Sequence, residues 1–269
     1  MTKAATKVKD VDTFNEKIRW IMKNDRNQLM VTCSDKLLCK EYIESKIGKG
    51  FTPKTYTHSD SVDSLVVKIS GYENHPSKFF LKSNNDSGGT ALVEGNTINK
   101  SMARLIERHK MIPYGANKGE WWYQHIKYQC FTEEFLGDNL IDYKFHCSLG
   151  VPRFCQVIRD RHLGNKRKEV SVDMTGNILD FHFEEDRVWE KQFTKPESWS
   201  EMVKVATRLS EDFRYVRVDV FNTDIQDETG KGIFVGELTF APRAGKTPGV
   251  GQIEAGKILP IFEGEKTDV

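Results

Sequence analysis

Two short segments carry acids and bases where an apolar strand would carry none: Tyr215-Val-Arg-Val-Asp-Val-Phe221 and Gly232-Ile-Phe-Val-Gly-Glu-Leu-Thr-Phe-Ala-Pro242. Strand alternation in the first sets Val216, Val218 and Val220 on one face and Tyr215, Arg217, Asp219 and Phe221 on the other. In the second it sets Glu237 and Thr239 on a face with Ile233 and Val235, and the polar stretch 222–231 reads as the loop joining the two strands. Paired as neighbours, the strands bring Asp219, Glu237 and Arg217 together. Two carboxylates with an oxygen neighbour suit a hard cation such as magnesium, which keeps several waters and binds through one or two carboxylates plus substrate phosphates. The same residues fit a salt-bridged strand pair equally well, so both readings stand at this point.

The elements that must position these residues follow from periodicity and punctuation. Phe14, Ile18, Ile21 and Met22 give 11–24 an amphipathic helical stripe, and Leu38, Tyr42, Ile43 and Ile47 give a second helix, capped by Ser34 or Asp35 and stopped by Gly48. Leu65-Val-Val-Lys-Ile69 reads as a strand in a compact entry lobe. Phe79-Phe-Leu-Lys82 and Ala91-Leu-Val93 read as strands around the polar stretch 83–90. Met102, Leu105 and Ile106 predict a helix over 98–110, ended at Pro113. Trp121, Trp122 and Tyr123 read as core or interface anchors, with ligand stacking as the alternative. Segments 130–136 and 141–147 read as strands, with a hairpin returning through 153–158 after Leu149-Gly150. Ser198-Trp-Ser-Glu201 reads as a capping box opening a helix with the stripe Trp199, Met202, Val203, Ala206 and Leu209. The tail after Gly245 reads as loop.

Composition narrows the class. At 269 residues the chain can bury a sizeable core. Forty basic against thirty-nine acidic residues leave a formal charge of +1, so nothing global favours a nucleic-acid partner, and any anionic ligand must be recognised locally. Five cysteines without Cys-x-x-Cys spacing argue against a disulfide framework and a zinc knuckle, and fit a reducing cytoplasm. Apolar runs are short, so no membrane insertion and no secretory leader is expected.

Lys82 closes a strand before Ser83-Asn-Asn-Asp-Ser-Gly-Gly-Thr90, a turn whose backbone donors could wrap a polyphosphate, although it lacks the Walker ending. Glu133 and Glu134 are consecutive acids on a strand, unfavourable unless one is used. Asp142 and Lys144 share a strand face, and His146 joins them, read as a structural histidine. The order of these pieces carries more than any one of them. Asp35-Lys-Leu-Leu-Cys-Lys-Glu-Tyr-Ile-Glu-Ser-Lys-Ile-Gly48, Phe80-Leu-Lys-Ser-Asn-Asn-Asp-Ser-Gly88, Glu133-Glu-Phe-Leu136, Leu140-Ile-Asp-Tyr-Lys-Phe145, Gln156-Val-Ile-Arg-Asp-Arg161, Val216-Arg-Val-Asp-Val-Phe221 and Gly236-Glu-Leu-Thr-Phe-Ala-Pro242 together resemble the ATP-grasp superfamily, in detail its TupA-like branch, linked to teichuronic acid and other surface-polysaccharide biosynthesis.

That resemblance implies an α/β (α+β) ATP-grasp fold, two lobes clamping a nucleotide behind a small N-terminal lobe, with divisions at 1–75, 76–132 and 133–269. By the same resemblance Lys82 contacts the α/β-phosphates, and Asn84 to Gly89, including Ser87 and Gly88, form a lid loop. Glu133, Glu134, Phe135 and Leu136 form the adenine hinge, with Glu133 accepting from the purine amino group. Asp142 takes the ribose, and Asp219 and Glu237 hold Mg²⁺. Thr239 stands where many such ligases have a metal-binding asparagine, and either completes the metal set or orients a water. Lys144, Arg161 and Arg217 are left for the anionic reaction centre. The implied activity is an ATP- and Mg²⁺-dependent ligase joining a carboxylate, such as a uronic acid or acidic glycan, to an amine through an acyl phosphate. The basic run 159–168 would then flank the acidic acceptor, Arg159 and Arg167 included. A kinase on the same fold, with Asp160 as base, and a non-catalytic glycan-binding or sugar-transfer accessory protein are the alternatives.

Overall fold

Thr13 opens the first helix, α1 (Phe14–Asn24), through a capping box: its hydroxyl accepts from the Glu16 amide at 3.3 Å and its own amide donates to Glu16 Oε2 at 3.0 Å. Phe14, Ile18 and Ile21 then share the buried face. The computed structural model describes residues 11–138, 140–160, 164, 167–183, 188–223 and 232–265. After the short α2 (Leu29–Ser34), Asp35 Oδ1 accepts from the amides of Leu37 and Leu38 at 2.9 and 3.3 Å and so opens α3 (Leu38–Ile47). Gly48, at φ 89°, ends it.

Two antiparallel sheets follow. The smaller, in the order β1-β4-β2-β3, is built from β1 (Thr55–Ser59), β2 (Lys78–Ser83), β3 (Thr90–Glu94) and β4 (Cys130–Glu134). Helices α4 (Val62–Ser70) and α5 (Lys100–Glu107) pack on it, closing a core of Leu65, Phe79, Leu81, Val93 and Ile106. The larger sheet runs β10-β9-β5-β6-β7-β8, from β5 (Ile141–Ser148), β6 (Val151–Arg159), β7 (Lys168–Val172), β8 (Val188–Trp189), β9 (Tyr215–Asn222) and β10 (Ile233–Thr239), with only the short β7–β8 pair parallel among the described residues. Its valine face packs on α6 (Trp199–Ser210), and α1 and α3 contribute to the same core. Leu149 and Gly150, at φ 50° and 75°, make the two-residue turn of the β5–β6 hairpin, the mirror-image turn that suits strand twist.

Five expectations are corrected. Leu38, expected in the buried stripe of α3, is 42% exposed, and Cys39 is buried beside Tyr42 and Ile43 instead. Residues 65–69 are helical in α4, because Ser61 caps the Ser64 amide at 3.2 Å and Val62, Leu65 and Ile69 recur at helical spacing on the buried face. Ser198 makes no capping hydrogen bond at the start of α6, and Val205 takes the core position expected of Val203, which is only partly buried. Residues 251–258 form a helix, α7 (Gly251–Ile258), rather than loop. Finally, a β-bulge between Val235 and Glu237 breaks the alternation of β10. Val235 pairs with Val220 while Glu237 pairs with Asp219, so Ile233 and Val235 lie with the valine face and Glu237 and Thr239 with the charged one. Of the loop expected at 222–231, Asn222 belongs to β9, and residues 224–231 lie outside the described residues.

Helix α7 is in place because Gly256 lets it touch the start of α1. A Cβ there would meet Thr13 Cα at 2.7 Å and the Phe14 amide nitrogen at 2.8 Å, together with the Asp12 carbonyl, all backbone atoms that cannot step aside. Gly256→Ala is therefore expected to destabilise the fold by about 1–3 kcal/mol, read as a lowered melting temperature. An unchanged melt would show that α7 can shift freely.

Candidate active site

Between the two sheets lies a cavity of about 460 Å³, a size that suits a drug- or nucleotide-sized ligand. Its smaller-sheet side is formed by Phe80 and Lys82 of β2, Gly88 and Thr90 beyond it, and Glu133 and Glu134 of β4. Lys144, Asp219, Phe221 and Glu237 of the larger sheet face them, and Lys36 and Lys40 enter from the α2–α3 segment.

The carboxylate wall is organised by the strand register. Asp219 and Glu237 are cross-strand partners on β9 and β10. Arg217 forks onto Asp219, with Nε to Oδ1 at 2.6 Å and Nη2 to Oδ2 at 2.7 Å, and Lys144 Nζ donates to Oδ2 at 2.5 Å. Burial opposes the charge of Asp219, but Arg217 and Lys144 outweigh it and hold its carboxyl at about 2, so it stays an anion throughout the neutral range. The Thr239 hydroxyl donates to Glu237 Oε1 at 3.0 Å and accepts from Arg217 Nη2 at 3.1 Å. One guanidinium thus ties both carboxylates into one frame, directly to Asp219 and through Thr239 to Glu237.

The cationic side is built on β2, β4 and α3. Lys82 Nζ donates to Glu133 Oε1, and Lys40 Nζ lies 2.7 Å from Glu133 Oε2. Lys40 also donates to the Pro53 carbonyl at 2.5 Å and to Thr55 Oγ1 at 2.8 Å. Burial opposes the charge on Glu133, yet Lys82 and Lys40 prevail and hold its carboxyl below the usual range. Lys36 Nζ donates to the Asp86 carbonyl, and burial pulls its ammonium pKa down against the attraction of Glu237. Asp219 and Glu237 on one sheet therefore face Lys82 of the other sheet and Lys36 and Lys40 of the α2–α3 segment.

The TupA-like ATP-grasp family matches residues 16–250, nearly the whole chain. The chain belongs to that family. Similar solved structures include a D-alanine–D-alanine ligase from Bacillus anthracis complexed with ATP, at 15% identity over 78% of this chain and 54% of that one, with a TM-score of 0.42. They also include the D-alanine–D-alanine ligase from Coxiella burnetii, at 13% identity over 84% and 53% with a TM-score of 0.42. A third is macrocyclase MdnC bound with precursor peptide MdnA from Microcystis aeruginosa MRC, at 10% identity over 84% and 60% with a TM-score of 0.41. The chain spans little more than half the length of the solved structures it matches. No curated protein matches it.

In this TupA-like ATP-grasp chain the cavity gathers Lys82, Gly88, Glu133, Glu134, Leu136, Lys144, Asp219 and Glu237 of the residues singled out in the sequence. Others stand back from it. The Asn84 amide is taken up by Asp35 Oδ2 and the Lys127 carbonyl, both at 2.9 Å, and its oxygen accepts from the Gln129 amide at 2.7 Å. Ser87 is exposed and gives its carbonyl to Arg108 at 2.8 Å. The Phe135 ring packs against Phe80 and under Lys78 Nζ, 4.1 Å from its centroid. Asp142 is 2% exposed, its Oδ2 3.9 Å from Lys144 Nζ, and does not line the cavity.

Arg217 and Thr239 do not line the cavity and sit behind its carboxylates, bonded to Asp219 and Glu237. Arg159 faces Glu190 at 3.8 Å, Arg167 is half-buried near it in sequence, and neither lines the cavity. Arg161 lies outside the described residues. His146 is buried, stacked on Phe154 at 4.3 Å and hydrogen-bonded to the Tyr215 hydroxyl at 2.9 Å, and burial keeps it neutral, as a structural histidine should be. Lys36 and Lys40 reach the cavity without having been singled out for it, and of the aromatic cluster Trp121, Trp122 and Tyr123 only Tyr123 lines it, while Trp122 is buried in the core. Lys40 lies in the first turn of α3 and Lys36 just before it, positions where a lysine is ordinary in sequence, so the sequence offered no signal for either. Among the described residues no helix is long and apolar enough to cross a membrane.

Proposed function

We propose that the cavity binds Mg²⁺-ATP and that the chain joins a carboxylate to an amine through an acyl phosphate, with an acidic sugar or glycan as the carboxylate. One observation carries this reading: Lys36, Lys82 and Lys144 converge on a single cavity with the cross-strand carboxylates Asp219 and Glu237. The lysines would neutralise the triphosphate. Asp219 and Glu237 would hold Mg²⁺, a donor set that fits an ion accustomed to one or two carboxylates. Among the described residues no cluster of three acidic, histidine or cysteine groups stands ready for a metal, so phosphate oxygens and water would complete the set. When bound, the ion withdraws charge from the phosphate oxygens.

The backbone from Glu134 to Asp138 leaves β4 along the cavity and supports a purine hinge. Glu133 itself, engaged by two lysines, would steady the cations rather than read the adenine amino group. Asp138, which lines the cavity, is better placed for the ribose than the buried Asp142. In the first step a substrate carboxylate oxygen attacks the γ-phosphorus and ADP leaves. In the second the amine nitrogen attacks the acyl carbon, phosphate leaves, and the surplus amine proton passes to solvent. Negative charge gathers in both, so fixed cations supply the catalysis and no protein nucleophile is required. The family's link to surface polysaccharides supports a uronic acid as the carboxylate.

Incubation with Mg²⁺-ATP, hexuronic acids and hydroxylamine is expected to give a hydroxamate together with ADP. A stable phosphomonoester without hydroxamate would mean a kinase instead. Asp160, the base that reading needs, pairs with Lys168 at 3.4 Å and does not line the cavity. No thermal shift with Mg²⁺-ATP would return the chain to a non-catalytic role.

A further inference from the structure

The loop between β2 and β3 borders the cavity through Gly88, and it contains a buried acid, Asp86, whose carbonyl is held by the cavity residue Lys36. We propose that Arg108, outside the cavity, fixes this loop as a rigid phosphate cradle by neutralising Asp86, so that the loop is preformed rather than a lid that closes. The proposal rests on the Mg²⁺-ATP reading of the cavity.

The Asp86 side chain is fully buried, and Arg108 forks onto it, with Nε to Oδ2 at 2.6 Å and Nη2 to Oδ1 at 2.9 Å. The same Nη2 donates to the Ser87 carbonyl at 2.8 Å. His109 Nε2 stands 3.8 Å from Asp86 Oδ1, and the His109 carbonyl accepts from Asn85 Nδ2 at 3.1 Å. On the other side Lys36 Nζ donates to the Asp86 carbonyl, and Asn84 is bound to Asp35 and Lys127. Gly89 closes the loop by accepting from the Ser83 amide at 3.0 Å, and a Cβ there would meet Asp86 Oδ2 at 2.7 Å. The loop is thus fastened to the end of α5 on one side and to a cavity lysine on the other. A bidentate arginine is the strongest partner available to a buried carboxylate, and removing it leaves an uncompensated buried charge. That charge would turn outward or repel the triphosphate, and Lys36 would lose its anchor with it.

The test compares Arg108→Ala, Asp86→Asn and the double variant, with Lys110→Ala as control, by calorimetric titration of Mg²⁺-ATP and by thermal melting. Arg108→Ala is expected to weaken Mg²⁺-ATP about ten- to hundredfold, the range of a lost charge-assisted hydrogen-bond pair. The double variant should recover most of that loss, because Asp86→Asn removes the unneutralised charge. A double variant no better than Arg108→Ala, or Arg108→Ala binding like the wild type, would overturn the proposal. Arg108→Lys, which keeps the charge and loses the fork, should fall between wild type and Arg108→Ala, and it serves where the alanine variant does not fold. If the wild type binds no Mg²⁺-ATP, the nucleotide reading fails rather than the clamp. Hydrogen exchange at amides 84–89 then decides the clamp: faster exchange in Arg108→Ala supports it, and unchanged exchange sinks it.

Discussion

Asp219→Asn is expected to abolish Mg²⁺-ATP turnover, by about a thousandfold or more, while leaving a folded chain. The side chain keeps its shape, so the β9–β10 register and the packing of Val216, Val218 and Val220 have no reason to change. What changes is charge. Arg217 and Lys144 both donate to this carboxylate, and asparagine offers them one neutral oxygen in place of two charged ones. The cation-binding wall loses half of its formal charge, and Lys144 is released from its fixed position. Asp219→Ala would go further, taking the remaining acceptor oxygen as well as the charge from two buried cations, at a cost of about 3–5 kcal/mol. Phosphate release measured beside thermal melts separates the two effects. An asparagine variant within tenfold of wild-type turnover would reduce Asp219 to a salt-bridge partner, the other reading that the strand pair permitted.

The sequence made the charged face of β9 plain because its alternation is unbroken, and the first helix plain because Phe14, Ile18 and Ile21 recur at helical spacing; the third was legible in Tyr42, Ile43 and its Gly48 stop, but not in Leu38. β10 misled because alternation fails where a bulge inserts a residue. Gly236 sits there with the Phe221 ring 2.5 Å from where a Cβ would stand, a contact that only the paired strand reveals. Leu65-Val-Val carries strand formers, yet the position of Ser61 and the core under β1 and β4 decide for helix. Helix α7 has two glycines and little periodicity, and its reason to exist is the close approach to α1. At the site, Asp219, Glu237, Lys82 and Lys144 were legible because charges on a strand face demand an explanation. Lys36 and Lys40 were not, since a lysine on a helix is ordinary until tertiary structure turns it inward. Asn84, Asp142 and Arg217 looked equivalent to their neighbours in sequence, and only the hydrogen bonds separate a group facing the cavity from one holding it.

Glu133→Gln discriminates between two roles for the same carboxylate. Its oxygens meet Lys82 on one side and Lys40 on the other, and all three groups are largely buried. The amide leaves two ammonium groups facing each other without an anion between them, so a stability loss of about 3 kcal/mol is expected, the lower end of the cost of breaking a buried pair. Mg²⁺-ATP should then raise the melting temperature of the variant more than that of the wild type, because the polyphosphate supplies the missing negative charge and binds only the folded chain. An adenine-reading Glu133 predicts the reverse pattern: little change in the melt without nucleotide, and a loss of preference for ATP over GTP as the acceptor for the purine amino group is weakened. Melts with and without each nucleotide therefore decide the matter. The two-lysine geometry favours the first outcome, in which Glu133 keeps the cations of an empty phosphate site apart until a nucleotide takes its place between them.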